Sequence, residues 1–150
     1  MLERIINPRL RRLYEYWCER RGDRRFPSRG DIDPLDLAFI LGNLILIDVI
    51  EGDPPGFFIR LHGTNLVTRA GYELTGKMLN ELPIGDFRQL AMETFARVAQ
   101  SGEPFCGSGD RVLDERPAQF ETLILPLSND GVRVNMLLAG LIYADEREPG

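Results

Sequence analysis

Two apolar segments on either side of Asn129-Asp130-Gly131 constrain the fold of this chain more than any other feature. Asparagine and glycine accept the positive φ angles that a tight hairpin turn requires. The flanking segments, roughly residues 118–127 and 132–143, are therefore predicted to pair as antiparallel strands. A third segment of strand-like composition, roughly 104–113, precedes them. The last third of the chain is thus predicted to form a three-stranded meander.

A further pair of strands is predicted near the middle of the chain. LILIDVI, residues 44–50, is apolar and rich in branched side chains, and FFIRLHG, residues 57–63, follows after a six-residue linker with two prolines and two glycines. Such a loop can join antiparallel neighbours, whereas a parallel crossover needs a dozen or more residues. Strict alternation along the second segment predicts that His62 shares a face with Arg60.

The N-terminal segment is predicted to be an amphipathic helix over roughly residues 8–21. Asn7 is a good N-cap, Pro8 suits the first helical turn, and Gly22 ends the pattern. The apolar stripe of this helix is large and must be covered either by the chain's own sheet or by a second subunit. The candidate contacts with a dimer or protein partner are Leu10, Leu13, Tyr14 and Trp17.

Two more helices complete the prediction. Asp33 followed by Pro34 starts a short helix that should end by Gly42, and the most regular apolar stripe predicts another over roughly residues 86–102. A hairpin, a helical middle and a meander make an α+β domain. With 150 residues, of which 43% are hydrophobic, the chain is predicted to be one globular domain, 1–150, with an N-terminal helical extension, 1–42, and a core, 43–145.

Charge is distributed unevenly along the chain. Residues 1–30 carry nine arginines and four acidic residues, although the net charge of the whole chain is −5. Arginines interleaved with Tyr and Trp are compatible with nucleic-acid or anionic-surface binding, but we favour a solvated helix face as the explanation. The N-terminus lacks the features of a signal peptide, and no apolar run approaches the roughly 18 residues of a membrane span. We therefore expect a cytoplasmic protein without a membrane span.

The segment GYELTGKM, residues 71–78, comes within one residue of a phosphate-binding P-loop. Met78 stands where that motif has the Ser or Thr that ligates magnesium, and the segment neither follows a predicted strand directly nor opens a predicted helix. We therefore interpret Gly71 and Gly76 as turn positions between short helices and assign no chemistry to Lys77.

The same segment carries a family resemblance. Residues 71–79, Gly-Tyr-Glu-Leu-Thr-Gly-Lys-Met-Leu, resemble the signature of the PAS domain, and the predicted strands and helices follow the order of that family. Upstream, Tyr16-Trp17 and the Phe-Pro-Ser-Arg-Gly-Asp-Ile-Asp-Pro segment, residues 26–34, are similar to a group of short single-domain bacterial PAS proteins, so the resemblance covers roughly residues 10–143. It implies a five-stranded antiparallel sheet with helices over one face, which enclose a small cavity used for ligands or cofactors in many relatives.

The resemblance does not assign a cofactor. A flavin photosensor of this family would need its reactive cysteine in an Asn-Cys-Arg-Phe helix motif, which contains neither Cys18 nor Cys106. Haem would need a histidine on a middle helix, whereas the only histidine, His62, lies at the end of the second strand. Flavin and haem are therefore disfavoured and the cofactor is unknown. Two separated cysteines and one histidine also predict no metal site and no catalytic pair, so we expect no enzymatic activity.

The resemblance implies a non-catalytic sensory or regulatory module of bacterial signalling, which binds a small ligand, forms a homodimer or contacts a signalling partner. The candidate ligand pocket is mostly apolar, with two polar side chains that could contact a ligand. It comprises Leu61, Val67, Tyr72, Leu74, Met78, Phe95, Cys106, Thr122 and Asn135. Plain core packing is the alternative explanation for the apolar members of this set.

Overall fold

A computed structural model of the chain describes residues 1–82 and 86–146. Its five strands are β1 (Leu44–Ile50), β2 (Gly56–His62), β3 (Phe105–Leu113), β4 (Arg116–Leu127) and β5 (Met136–Tyr143). They form one sheet in the order β2-β1-β5-β4-β3, and every neighbouring pair is antiparallel. The predicted hairpin, meander and five-stranded antiparallel sheet are confirmed.

Three α-helices flank this sheet: α1 (Pro8–Arg21), α2 (Thr64–Ala70) and α3 (Asp86–Ser101). The bounds of α1 agree with the prediction because the Asn7 side chain accepts hydrogen bonds from two backbone N–H groups of the first turn, and Gly22 leaves the helix with a φ of 58°. The segment predicted as a second helix forms shorter 3-10 turns at Pro34–Leu37 and Leu41–Asn43. None of the helices within the described ranges is long and apolar enough to cross a membrane.

The helix α1 lies against one face of the chain's own sheet. Leu10 and Leu13 are fully buried, Trp17 is 4% exposed, and Trp17 Nε1 donates a 2.9 Å hydrogen bond to the carbonyl of Pro126. Gly140 of β5 allows this close approach, because a Cβ there would lie 2.8 Å from Leu10 Cδ2 and would displace that side chain. Leu10, Leu13 and Trp17 are therefore unavailable as dimer contacts, which corrects that part of the prediction.

The opposite face of the sheet is covered by α2, α3 and a 3-10 turn at Leu79–Glu81. Since both faces are covered, every residue of the central strand β5 is buried. Side chains of β5 alternate between the two layers: Leu138 packs in the α1 layer, and Ala139 packs in the α3 layer. We call the side that faces α2 and α3 the inner face.

The two turns of the meander differ from the sequence prediction. β3 and β4 are joined by Asp114 and Glu115 alone, which adopt positive φ angles of 51° and 63° in a two-residue hairpin turn. After Asn129-Asp130-Gly131 the strand does not resume at residue 132, as predicted, but at Met136. The Asp130 carboxylate accepts hydrogen bonds from the backbone N–H groups of Val132 and Arg133, which holds these residues in a longer loop.

Candidate functional site

A cavity of about 120 Å³ lies between the inner face of the sheet and the helices α2 and α3. One water molecule needs roughly 10–15 Å³ by the same measure, so the space suits a small organic molecule. Its apolar walls come from every strand of the sheet and from both helices. The polar side chains at its surface are His62, Tyr72, Thr94, Ser108, Arg111, Thr122 and Tyr143.

Four of the predicted pocket residues line this cavity. Tyr72 and Leu74 reach it from the segment after α2, Phe95 from α3 and Thr122 from β4. The Thr122 hydroxyl donates to the carbonyl of Gly140 at 2.9 Å, so its lone pairs remain able to accept a hydrogen bond.

A β-bulge in β2 explains why Leu61 does not line the cavity. Leu46 pairs with Leu61 and Ile47 pairs with Ile59, so Arg60 is an extra residue in the ladder. Side chains alternate between the two faces along a strand. One extra residue therefore moves every later side chain to the face opposite the one it would occupy in a regular strand. Leu61 therefore lies on the outer face, 38% exposed, while His62 lines the cavity. The predictions that Leu61 lines the pocket and that His62 shares a face with Arg60 are both wrong.

Cys106 and Val67 do not line the cavity, because strand alternation and helical periodicity turn their side chains away from it. Phe105 and Gly107 line the cavity, which leaves Cys106 on the opposite face, where Sγ lies 3.6 Å from the Arg4 carbonyl. Burial raises the pKa of the Cys106 thiol, so the thiol form is favoured. In α2 the lining residues are Leu66 and Ala70, one turn apart, and Val67 is rotated away from them.

Met78 and Asn135 also lie outside the cavity. Met78 forms a bridge with Phe58 at the edge of β2, and its Cε lies near Gly56. Asn135 stands in the loop before β5, where its side-chain oxygen accepts a 2.8 Å hydrogen bond from the Asn129 N–H. Both side chains have local structural roles that their position in the sequence did not reveal.

The segment GYELTGKM follows the edge of β2. Gly71 ends α2 with a φ of 82°, and Gly76 has a φ of 83°. Gly76 N–H donates to the carbonyl of Ile59, and Ile59 N–H donates to the carbonyl of Lys77. These backbone amides are used within the chain and do not form a phosphate cradle, and the two glycines are the turn positions that the sequence predicted.

Arg111 is one of the polar cavity residues that sequence reasoning missed. Its Cζ lies 3.8 Å from the centroid of the Phe87 ring, and its guanidinium donates to Tyr72 Oη at 3.1 Å and to Tyr143 Oη at 3.3 Å. The buried Nε has no hydrogen-bond partner. The only signal in the sequence is phase: Arg111 is six residues after the inward Phe105, so alternation along β3 places it on the same face.

His62 is held as a neutral acceptor in the cavity wall. Its Nδ1 accepts a 3.1 Å hydrogen bond from the backbone N–H of Leu74, which places the proton on Nε2. Burial lowers the pKa of this imidazole, Glu73 opposes the shift, and the Arg111 charge adds to it. This hydrogen bond between the Leu74 backbone and the imidazole holds Leu74 beside the cavity.

We expect acidification to destabilise the fold through His62. Because the folded pKa lies below the unfolded value of about 6.5, the unfolded state binds the proton first as the pH falls. The free energy of unfolding should therefore decrease below about pH 6.5, by at most about 1.4 kcal/mol per pH unit. Urea titrations at several pH values between neutral and mildly acidic should show a smaller decrease for His62→Asn, which keeps an acceptor but does not titrate. Equal pH dependence of the two proteins would contradict this role.

The arginines of the N-terminal segment are largely engaged within the chain. Arg11, Arg20, Arg21 and Arg24 each donate to backbone carbonyls. Arg12 lies over the ring of Phe39, with 4.0 Å between Cζ and the ring centroid. These contacts favour a packed helix face over an anion-binding arm.

Tyr14, the fourth candidate partner contact, is half-buried and stacks on Trp17 with 6.0 Å between ring centroids. Within residues 1–82 and 86–146, no group of three or more His, Cys, Asp and Glu side chains is placed to hold a metal ion.

Comparisons with known proteins agree with the architecture. A family model described as PAS domain matches residues 6–142. The PAS domain of Bordetella pertussis BvgS superposes with a TM-score of 0.56 at 20% identity, over 77% of this chain and 90% of that chain. The Rhodobacter sphaeroides LOV protein superposes with a TM-score of 0.51 at 14% identity, over 69% of this chain and only 60% of that chain. No curated protein matches the sequence.

Proposed function

Because this chain belongs to the PAS domain family, we propose that it is a non-catalytic sensory module whose inner cavity binds a small molecule. The observation that carries this proposal is the cavity itself, an apolar space with a few polar side chains that converge on it. Ligand sites in proteins usually have this composition. Its walls come from the sheet and from α2 and α3, so a bound molecule would contact both the sheet and these helices.

The proposal is tested by filling the cavity. Ala139 is buried at the centre of the inner face, between Ile45 of β1 and Ile124 of β4, so Ala139→Leu would occupy the space that a ligand needs. We expect native mass spectrometry of the purified wild-type protein, or its thermal stabilisation by members of a metabolite library, to reveal a bound molecule. The Ala139→Leu variant should lose that molecule.

Ala144→Leu, at an exposed position just after β5, is the matched control and should behave as the wild type. An absorption spectrum of the purified protein extends the test to coloured cofactors. A wild-type protein that carries no ligand and that no library member stabilises would contradict the proposal.

The proposal includes a homodimer or a protein partner as the means by which the signal leaves the domain. Since Leu10, Leu13 and Trp17 face the sheet, such an interface would use residues at the surface around α1. Leu35 is 85% exposed, and its neighbour Asp36 accepts a hydrogen bond from Tyr16 of α1. We therefore place the predicted interface on this side of α1.

Light scattering coupled to size exclusion tests the interface. We expect the wild type to have twice the mass of one chain, and Leu35→Glu to shift it towards one chain because a charge would be buried at the contact. Val112→Glu, at the 70% exposed Val112 of the edge strand β3, should leave the mass unchanged. A wild type that elutes as a single chain leaves a different protein as the partner and excludes the homodimer.

We assign residues 1–42 to a helical extension and residues 43–145 to the core, and we group the chain with short bacterial PAS proteins on the basis of Tyr16-Trp17 and residues 26–34. A cytoplasmic location stays a prediction from the sequence.

A further inference from the structure

An uncompensated positive charge lies at the wall of the inner cavity. No carboxylate whose position the structure describes forms an ion pair with Arg111, and its buried Nε makes no hydrogen bond. A guanidinium carries five N–H donors, and only two of its nitrogens have partners here. Arg111 is only partly buried, but its fully buried Nε is a charged donor without a partner, and such a donor is costly.

The two tyrosines that accept hydrogen bonds from Arg111 supply further donors at the same place. Tyr72 and Tyr143 receive the arginine N–H groups on their phenol oxygens, so each O–H proton remains free to donate to another acceptor. Burial raises the pKa of Tyr143, which keeps this hydroxyl protonated. One guanidinium and two hydroxyls therefore converge at one place in the cavity wall as hydrogen-bond donors, and no carboxylate among the described side chains accepts from them.

We further propose that the ligand of the cavity is a small monocarboxylate with an apolar body, whose carboxylate binds the cluster of Arg111, Tyr72 and Tyr143. This inference rests on the proposed function of the cavity and names the chemical class of its ligand. A planar carboxylate with one negative charge matches one guanidinium and accepts from the phenol hydroxyls as well. The remaining walls are largely apolar and fit a short aliphatic or aromatic chain. The volume of about 120 Å³ limits that chain to a few carbon atoms or one ring.

The test compares charged and neutral probes of the same shape. Phenylacetate, benzoate and hexanoate are titrated into the full chain by calorimetry and by thermal shift, alongside phenylacetamide, benzamide and hexanamide. We expect at least one carboxylate to bind and to raise the melting temperature. The amide of the same shape should bind at least about tenfold more weakly. Arg111→Gln should weaken binding of that carboxylate by about ten- to a hundredfold and leave binding of the amide unchanged.

Two further variants keep the result specific. Arg116→Gln removes an exposed arginine at the start of β4, outside the cavity, and should bind the carboxylate as the wild type does. If Arg111→Gln does not fold, the double variant Tyr72→Phe and Tyr143→Phe keeps both rings and removes only the hydroxyl donors. This double variant should likewise weaken binding of the carboxylate more than binding of the amide.

Three outcomes would overturn the inference: none of the three carboxylates binds, the amides bind as tightly as the carboxylates, or Arg111→Gln (the tyrosine double variant if Arg111→Gln does not fold) binds the carboxylate like the wild type. These failures are distinguishable from failure of the proposed function. If the amides bind and Ala139→Leu abolishes their binding, the cavity is a ligand site and only the carboxylate assignment falls. If neither series binds, the purified protein carries no ligand and no member of the metabolite library stabilises it, both fall.

Discussion

Replacing Trp17 by alanine is expected to lower the free energy of unfolding by about 3–5 kcal/mol. The indole is 4% exposed, packs in the layer between α1 and the sheet, and donates a hydrogen bond to the Pro126 carbonyl. Alanine would leave a cavity in that layer and an unsatisfied backbone carbonyl of β4. The guanidinium of Arg21, whose Cζ lies 5.4 Å from the indole centroid, would also lose its contact.

The measurement is urea denaturation followed by circular dichroism, because Trp17 is the only tryptophan and the variant loses the fluorescence signal. Tyr14→Ala is the matched control: it removes the half-buried ring that stacks on Trp17 and should cost distinctly less. If Trp17→Ala and Tyr14→Ala cost the same, α1 does not dock on the sheet through the indole.

Replacing Gly63 by alanine is expected to cost about 3 kcal/mol or more. Gly63 precedes α2 with an ordinary φ of −57°, so the reason is steric and not conformational. A Cβ would overlap the carbonyl oxygen of Gly42 and would lie 2.6 Å from its carbonyl carbon and 2.9 Å from the Leu44 oxygen. These are backbone atoms that cannot move aside like the end of a side chain. Gly63 N–H also donates to the Leu44 carbonyl at 2.8 Å, which fixes its distance from β1.

The control for this variant is Gly30→Ala. A Cβ on Gly30 would meet only Ser28 Oγ, at 3.8 Å, so we expect a change within about 0.5 kcal/mol. Both free energies of unfolding come from urea titrations of the full chain. A Gly63→Ala protein as stable as Gly30→Ala would mean that the junction between β2 and α2 is not packed as closely as described.

The elements of the fold were predictable because their signals are local. Asn7 caps α1 through its own side chain, and the apolar stripes of α1 and α3 lie within single segments. The β3–β4 turn was less visible because Asp114 and Glu115 adopt left-handed angles without the glycine that usually signals them. The sequence likewise contains no local cue that Asp130 would delay β5 to Met136.

The members of the cavity wall were harder to predict because they depend on register and on topology. The sequence prediction treated β2 as a regular strand and therefore assigned Leu61 and His62 to the wrong faces, since one bulged residue moves every later side chain to the other face. The Arg111 cluster joins β3, the segment after α2 and β5, and only the order of strands in the sheet brings these together. Tyr72 was identified from the family resemblance, whereas the only local sign for Arg111 is its alternation with the inward Phe105 along β3.

The burial of β5 between two layers has a thermodynamic consequence. Ala139 and Leu141 face the cavity, while Gly140, between them, lies against Leu10 and Leu13 of α1. If a ligand of the proposed site displaced this strand, it would therefore change the packing of α1 on Gly140 directly, without an intervening chain of contacts. Linkage then makes the effect reciprocal: any partner that pulls α1 away from Gly140 must alter the affinity of the ligand by the same factor by which the ligand alters the affinity of the partner.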